Sequence, residues 1–219
     1  MAELFLVRHG QASLGTDNYD QLSDKGSRQA AILAEYFTDN NIVFDQYISG
    51  AMQRHKQTIS PIVDTSKTVI DHGWNEFDFE AVIGAYVTEF DKTHELESGN
   101  KKVIYKLLKE AMLQWSQCNI KQSLPETWVE FNNRVSNAAS TIRLSNAKRV
   151  LVSSSGGAIA AFIGSILNLT PSHVINLNLQ IRNASIHRFF FNENGFQLSE
   201  FNSVPHFSSA ELKEFITYS

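Results

Sequence analysis

A chain of 219 residues that is 42% hydrophobic, with 15 Phe and 3 Trp, can fill one large core, which excludes general disorder. Its formal net charge of −4 argues against a broad nucleic-acid-binding surface, so an anionic ligand would need a local cationic pocket. The single cysteine, Cys118, excludes an internal disulfide and suits a reducing compartment, and no apolar run reaches the roughly 18–20 residues needed to span a membrane.

Along the chain, "ELFLV" (3–7) reads as a buried strand, followed by a loop over 10–24 rich in Gly, Asp and Asn. "SDKGSRQAAILAEYF" (23–37) has apolar residues near helical spacing and opens on Ser23 or Asp24 as a cap. "FDQYISG" (44–50) predicts a second strand, "AMQRHKQTISPIVD" (51–64) a helix disturbed by Pro61, and "KTVIDHG" (67–73) a short third strand. Residues 80–120 carry helical patterns, strongest in "KKVIYKLLKEAMLQW" (101–115). A further helix is predicted over 125–145, opened by Pro125. "RVLVSS" (149–154) is the clearest buried strand and runs through Gly-Gly into an apolar helix at 157–168. "NASIHRFFFN" (183–192) and "FQLSEFN" (196–202), joined across "ENG", predict a closing hairpin or an adjacent strand pair. Alternating strands and helices predict a three-layer α/β/α sandwich with a mostly parallel central sheet. The expected organisation is a single domain, 1–219, with a helical insertion at about 77–128.

Ligands of open α/β sheets bind at the carboxyl ends of the strands. Arg8, His9 and Gly10 stand there after the first strand, Arg54 after the second, Glu76 after the third, and Ser155, Gly156 and Gly157 after 149–154. Two guanidinium groups, an imidazole, a carboxylate and a glycine-rich helix start would thus share one edge. Guanidinium groups grip phosphate through paired hydrogen bonds, and a helix N-terminus favours the same anion.

These segments resemble, in order, the signatures of the histidine phosphatase superfamily, in its phosphoglycerate mutase-like branch. "LVRHGQA" is similar to its Arg-His-Gly motif, and "SDKGSRQA" to its Leu-Thr-x-x-Gly-x-x-Gln-Ala helix. "SGAMQRHKQTI" resembles Ser-x-x-x-Arg-Ala-x-Gln-Thr, "WNEFDFEAV" the acidic segment, and "VSSSGGAI" the late His-Gly-Gly turn. The resemblance implies a phosphomonoester hydrolase in which His9 carries a phosphohistidine, Arg8 and Arg54 hold the phosphoryl oxygens, and Gly10 lets the backbone approach the anion. Glu76, with Asp78 as the alternative, would protonate the leaving alkoxide. Neither metal nor cofactor is expected. The expected partner is a small-molecule phosphate ester, with no nucleic acid and no membrane. A homodimer is compatible with the pattern, and the expected location is cytoplasmic.

Two departures bear on turnover. Ser155 stands where the family has its second histidine, and a hydroxyl supplies a hydrogen bond but no positive charge, so Ser155 and Gly156 are expected at the phosphate with reduced activity. Ala12 and Gly15 replace polar phosphate contacts, leaving Gln11 and Ser13 as the candidate substrate loop. His55, His187 and His206 are the candidates for a replacement charge. A Ser155→His replacement is expected to hold or raise activity unless the pocket has repacked around serine. Two alternatives follow: a phosphate-ester binding protein of weakened turnover, and a serine hydrolase with Ser155 as nucleophile and His187 or His206 as base.

Overall fold

The computed structural model describes residues 2–13, 20–97 and 99–218. Strands β1 (Ala2–Arg8), β2 (Gln46–Ser49), β3 (Thr68–Ile70), β4 (Arg149–Ser154), β5 (Ile186–Asn192) and β6 (Gly195–Ser203) form one sheet in the order β3-β2-β4-β1-β5-β6. The first four strands of that order pair in parallel; β5 runs antiparallel to β1, and β6 to β5. The helices are α1 (Asp24–Asp39), α2 (Gln53–Ile59), α3 (Phe79–Glu89), α4 (Thr93–Glu97), α5 (Lys101–Ser116), α6 (Trp128–Arg143), α7 (Gly156–Leu167) and α8 (Pro171–Asn178).

The continuous apolar run of β1 follows from burial on both faces. Successive strand side chains point to opposite sides. Leu4 and Leu6 join a core with α3, α5, α6 and α7, whereas Phe5 and Val7 pack with Leu33 and Phe37 of α1 and Ile59 of α2. The α/β/α layering is therefore written into one heptapeptide.

Several element boundaries differ from expectation. The α2 helix stops at Ile59, before Pro61, instead of running to 64. Pro125 does not open α6. Its N-cap is Thr127, whose hydroxyl accepts the Glu130 amide while the Glu130 carboxylate accepts the Thr127 amide, a reciprocal capping box. Helix α8, with Pro171 in its first turn, was not anticipated. Nor was the docking of residues 204–218: Gln29 donates to the Phe215 carbonyl, and the Asn183 amide to that of Thr217. Among the described residues no helix is long and apolar enough to cross a membrane.

Candidate active site

Parallel register brings the first and fourth strands to the same level at their carboxyl ends. Arg8 lies opposite Ser154, and the amide of His9 donates to the Ser154 carbonyl at 2.9 Å. The His9 carbonyl is held in turn by the Ala184 amide (3.2 Å) and by Asn183 Nδ2 (3.3 Å). Two sequence-distant segments thus fix the main chain of one residue.

The His9 ring is 4% exposed, and its Nδ1 lies 2.7 Å from the Gly10 carbonyl. A carbonyl oxygen only accepts, so Nδ1 carries the proton and Nε2 the lone pair. Burial, followed by the charges of Arg8 and Arg54 and the nearby His55, holds this imidazole well below its ordinary pKa. The ring is therefore neutral at neutral pH, with one nucleophilic nitrogen.

Arg8 and Arg54 are both nearly buried, at 9% and 3% exposure, and both act electrostatically on His9 and on Glu76. Arg8 Nη1 donates to the carbonyls of Ile181 and Tyr218, and Arg54 Nη1 pairs with Asp20 at 2.8 Å. Burial raises the Glu76 carboxyl above its ordinary value; the Gly157 amide at 2.9 Å, Arg54, Arg8 and the Phe77 amide oppose that rise. The expected alternative acid, Asp78, instead caps α3 by accepting the Ala81 amide, and its side chain is engaged there.

The glycines serve packing. A Cβ on Gly10 would lie 2.5 Å from the Gly26 carbonyl oxygen of α1, and its amide donates to Thr58 Oγ1 at 3.0 Å. Contact between two backbones is enough to require a glycine at this position. A Cβ on Gly156 would meet Asn178 Oδ1 at 2.6 Å, and one on Gly157 would meet Glu76 Oε1 at 2.0 Å. Of the candidate substrate loop, Gln11 has its amide bonded to Gln29 Oε1 (2.7 Å), and the Ser13 amide to the Gln21 carbonyl (2.8 Å). Gly15 lies outside the described residues.

Ser155 is completely buried, and its Oγ lies 2.6 Å from Nε2 of His55. The expected hydrolase bases are elsewhere. His187 Nε2 faces Ser185 Oγ at 3.2 Å, and His206 packs on Phe207 with both ring nitrogens unpartnered among the described residues. Among the described residues no carboxylate orients His55 and its Nδ1 has no partner, so the Ser155–His55 contact lacks the third member of a hydrolase triad there.

Arg134 was missed in the sequence. Its guanidinium bonds Glu126 through two nitrogens and donates to the carbonyls of Gly73, Asn75 and Glu76, clamping the segment that carries the buried acid. An arginine inside an amphipathic helix gives no signal for such a role, because its partners are main-chain carbonyls about 60 residues away. A cavity of about 400 Å³ lies away from these groups, lined by Gln53, Lys56, Thr65, Thr68 and Ile70. No His, Cys, Asp or Glu lines it. No cluster of three or more His, Cys, Asp or Glu is arranged to hold a metal among the described residues.

The sequence matches the profile of the histidine phosphatase superfamily (branch 1) over residues 4–204. No curated protein matches it. Among solved structures, phosphoserine phosphatase of Entamoeba histolytica, in complex with 3-phosphoglyceric acid, superposes with a TM-score of 0.65 at 21% identity, covering 94% of this chain and 99% of that one. Mycobacterial glucosyl-3-phosphoglycerate phosphatase, with inorganic phosphate, gives 0.65 at 18% identity, covering 95% and 100%. The alpha-ribazole phosphatase of Shigella flexneri gives 0.61 at 16% identity, covering 92% and 96%. At these identities the likeness concerns the fold; the profile match over nearly the whole length carries the assignment. The chain belongs to the histidine phosphatase superfamily, branch 1.

Proposed function

We propose that the chain is a phosphomonoester hydrolase working through a phosphohistidine on His9. The observation that carries this reading is the tautomer of His9: Nδ1–H is tied to the Gly10 carbonyl, leaving a neutral Nε2 among two arginines and a buried acid. In the first half-reaction Nε2 forms a bond to phosphorus as the ester P–O bond breaks, and protonated Glu76 gives its proton to the leaving alkoxide. Water then attacks phosphorus and passes a proton to the Glu76 carboxylate, while the N–P bond breaks and its electron pair returns to Nε2. Arg8 and Arg54, with the amides of the first turn of α7, offset charge on the equatorial oxygens. Gln11 and Ser13 are proposed to contact the remainder of a small phosphate ester. The three similar structures are named for phosphatases of phosphorylated small molecules, which supports that substrate class.

The test is rapid acid quench after mixing with a ³²P-labelled monoester. Acid-labile, base-stable label on His9, absent from His9→Ala, is the expected result. Orthovanadate binding without turnover across a panel of esters would instead identify a binding protein and overturn the proposal.

A further inference from the structure

The mechanism above leaves a buried imidazole unused. His55 follows Arg54 on α2, is fully buried, and has its ring centroid 5.7 Å from that of His9. It occupies a built niche. A Cβ on Gly50 would lie 2.1 Å from His55 Nδ1, so the absent side chain there makes room for the ring. On the opposite side Nε2 meets Ser155 Oγ at 2.6 Å, and Ser153 Oγ donates to the His55 carbonyl at 2.9 Å.

The proton positions follow from what each nitrogen faces. Nδ1 is buried without a partner among the described residues. A proton there would be an orphaned donor, which costs more than an idle lone pair on an imine nitrogen. The proton therefore sits on Nε2 and is donated to Ser155 Oγ. That leaves the serine's own proton to be given elsewhere; the oxygen, for its part, accepts no amide of α7, since Ser155 is the N-cap residue of that helix but makes no side-chain capping bond. Ser155 directly follows the residue whose carbonyl holds the His9 amide, and its Oγ bonds a ring whose centroid is 5.7 Å from that of His9, which sets this spare donor in the neighbourhood of the nucleophile.

Resting on the phosphohistidine reading, we propose that Ser155 donates a hydrogen bond to the transferring phosphoryl group and that His55 is its positioning residue, so the second imidazole of the site is delivered from α2 instead of from the β4–α7 turn. Two departures from the family pattern, at positions 55 and 155, are then one. Histidine stands at the alanine position of Ser-x-x-x-Arg-Ala-x-Gln-Thr, serine stands at the histidine position of the late turn, and their side chains touch. The pocket has repacked around serine, and the simple expectation for Ser155→His changes sign: an imidazole at position 155 would collide with the one already there.

The experiment is a residue swap, read as kcat and KM for p-nitrophenyl phosphate and as affinity for orthovanadate. Ser155→Ala and His55→Ala should each lower kcat by about 10²-fold, and the double alanine variant should be little worse than either. His55→Gln, which keeps an N–H donor, should recover part of the loss. Ser155→His alone should also be impaired. The combination His55→Ala with Ser155→His should exceed each of its parent single variants at least tenfold, a rescue that a merely structural histidine would not produce. The proposal is overturned if Ser155→Ala, which removes one oxygen atom, keeps kcat and vanadate affinity within twofold of wild type. It is equally overturned if the swapped pair is no better than its parents while circular dichroism shows all of them folded. Acid-quench labelling separates the two levels. Unlabelled His9 in wild type defeats the phosphohistidine reading itself, whereas wild-type labelling rates in His55→Ala defeat only the role given to His55.

Discussion

Glu76 and Gly157 hold each other: Oε2 of the carboxyl accepts the Gly157 amide at 2.9 Å, and the missing glycine Cβ would fall 2.0 Å from Oε1. The acid is thereby seated on the first turn of α7. Glu76→Gln keeps an oxygen to accept that amide but removes the proton that a leaving alkoxide needs. The expected outcome is a fall in kcat of about 10²–10⁴-fold for an alkyl phosphate, with the thermal midpoint within about 3 °C of wild type. A smaller fall is expected for p-nitrophenyl phosphate, whose leaving group needs less protonation. Steady-state kinetics on the two esters decide it; equal losses on both would count against Glu76 as the acid.

Arg54 lowers the pKa values of both Glu76 and His9, whereas burial pushes the first up and the second down. Protonated Glu76 is the active form, so the rate should fall as pH rises through its elevated pKa. Neutral His9 is active, so the acidic limb should lie below the ordinary imidazole range. Removing the guanidinium in Arg54→Met should move both limbs to higher pH, along with a loss of at least about 10²-fold in kcat/KM from the missing phosphate contact. The pH dependence of kcat/KM measures the displacement. Limbs that stay in place while the rate falls would mean that Arg54 binds phosphate without tuning either group.

How far these groups were legible depends on whether their reason was local. Arg8, His9 and Arg54 follow strands whose apolar runs are plain in the sequence, and Glu76 comes shortly after a weak third strand, so their meeting at one sheet edge followed from topology. The contact between His55 and Ser155 spans 100 positions, and nothing in either segment indicates that the ring turns inward. Gly10 was legible as a necessary glycine, but its contact with the Gly26 carbonyl was not, since that atom belongs to a helix 16 positions on. Residues 204–218 carry little periodicity because main-chain bonds to Gln29, Asn183 and Arg8 fix much of their path. Helix α8 was missed because only Val174 and Ile175 are buried in it.

Arg134 ties α6 to the carbonyls of Gly73, Asn75 and Glu76, at 2.8–3.2 Å. Its loss should therefore be felt at the acid before it is felt in the core. For Arg134→Met, kcat on an alkyl phosphate is expected to drop about tenfold or more, because small misplacements of a catalytic group are costly. KM should change little, since the phosphate-binding arginines are untouched. Stability should fall by about 1–3 kcal/mol, from carbonyls left without their donor and the Glu126 carboxylate left unpaired. Urea denaturation beside steady-state kinetics separates the two effects. A variant that unfolds more easily yet turns over at the wild-type rate would reduce Arg134 to a structural clamp.

Buried histidines should also give the fold an acid limit. Burial, with the Arg8 charge adding to it, pushes His187 down to about 3, and burial pushes His206 down to about 4. In the unfolded chain each would titrate near 6.5. Below that value the unfolded state takes up a proton that the folded state refuses. The stability associated with each neutral histidine is therefore complete above about pH 6.5 and is lost as pH falls toward the folded value, at about 1.4 kcal/mol per pH unit per group. His9 and His55, also depressed by burial, act in the same direction. His187→Gln should lose stability at neutral pH, because Nδ1 accepts the Asn202 amide and Nε2 faces Ser185. Its urea titration should nevertheless depend less on pH, with the stability slope between pH 6.5 and 5.5 flatter than wild type by about 1 kcal/mol per unit. Parallel curves for the two proteins over that interval would mean that His187 takes up its proton without unfolding.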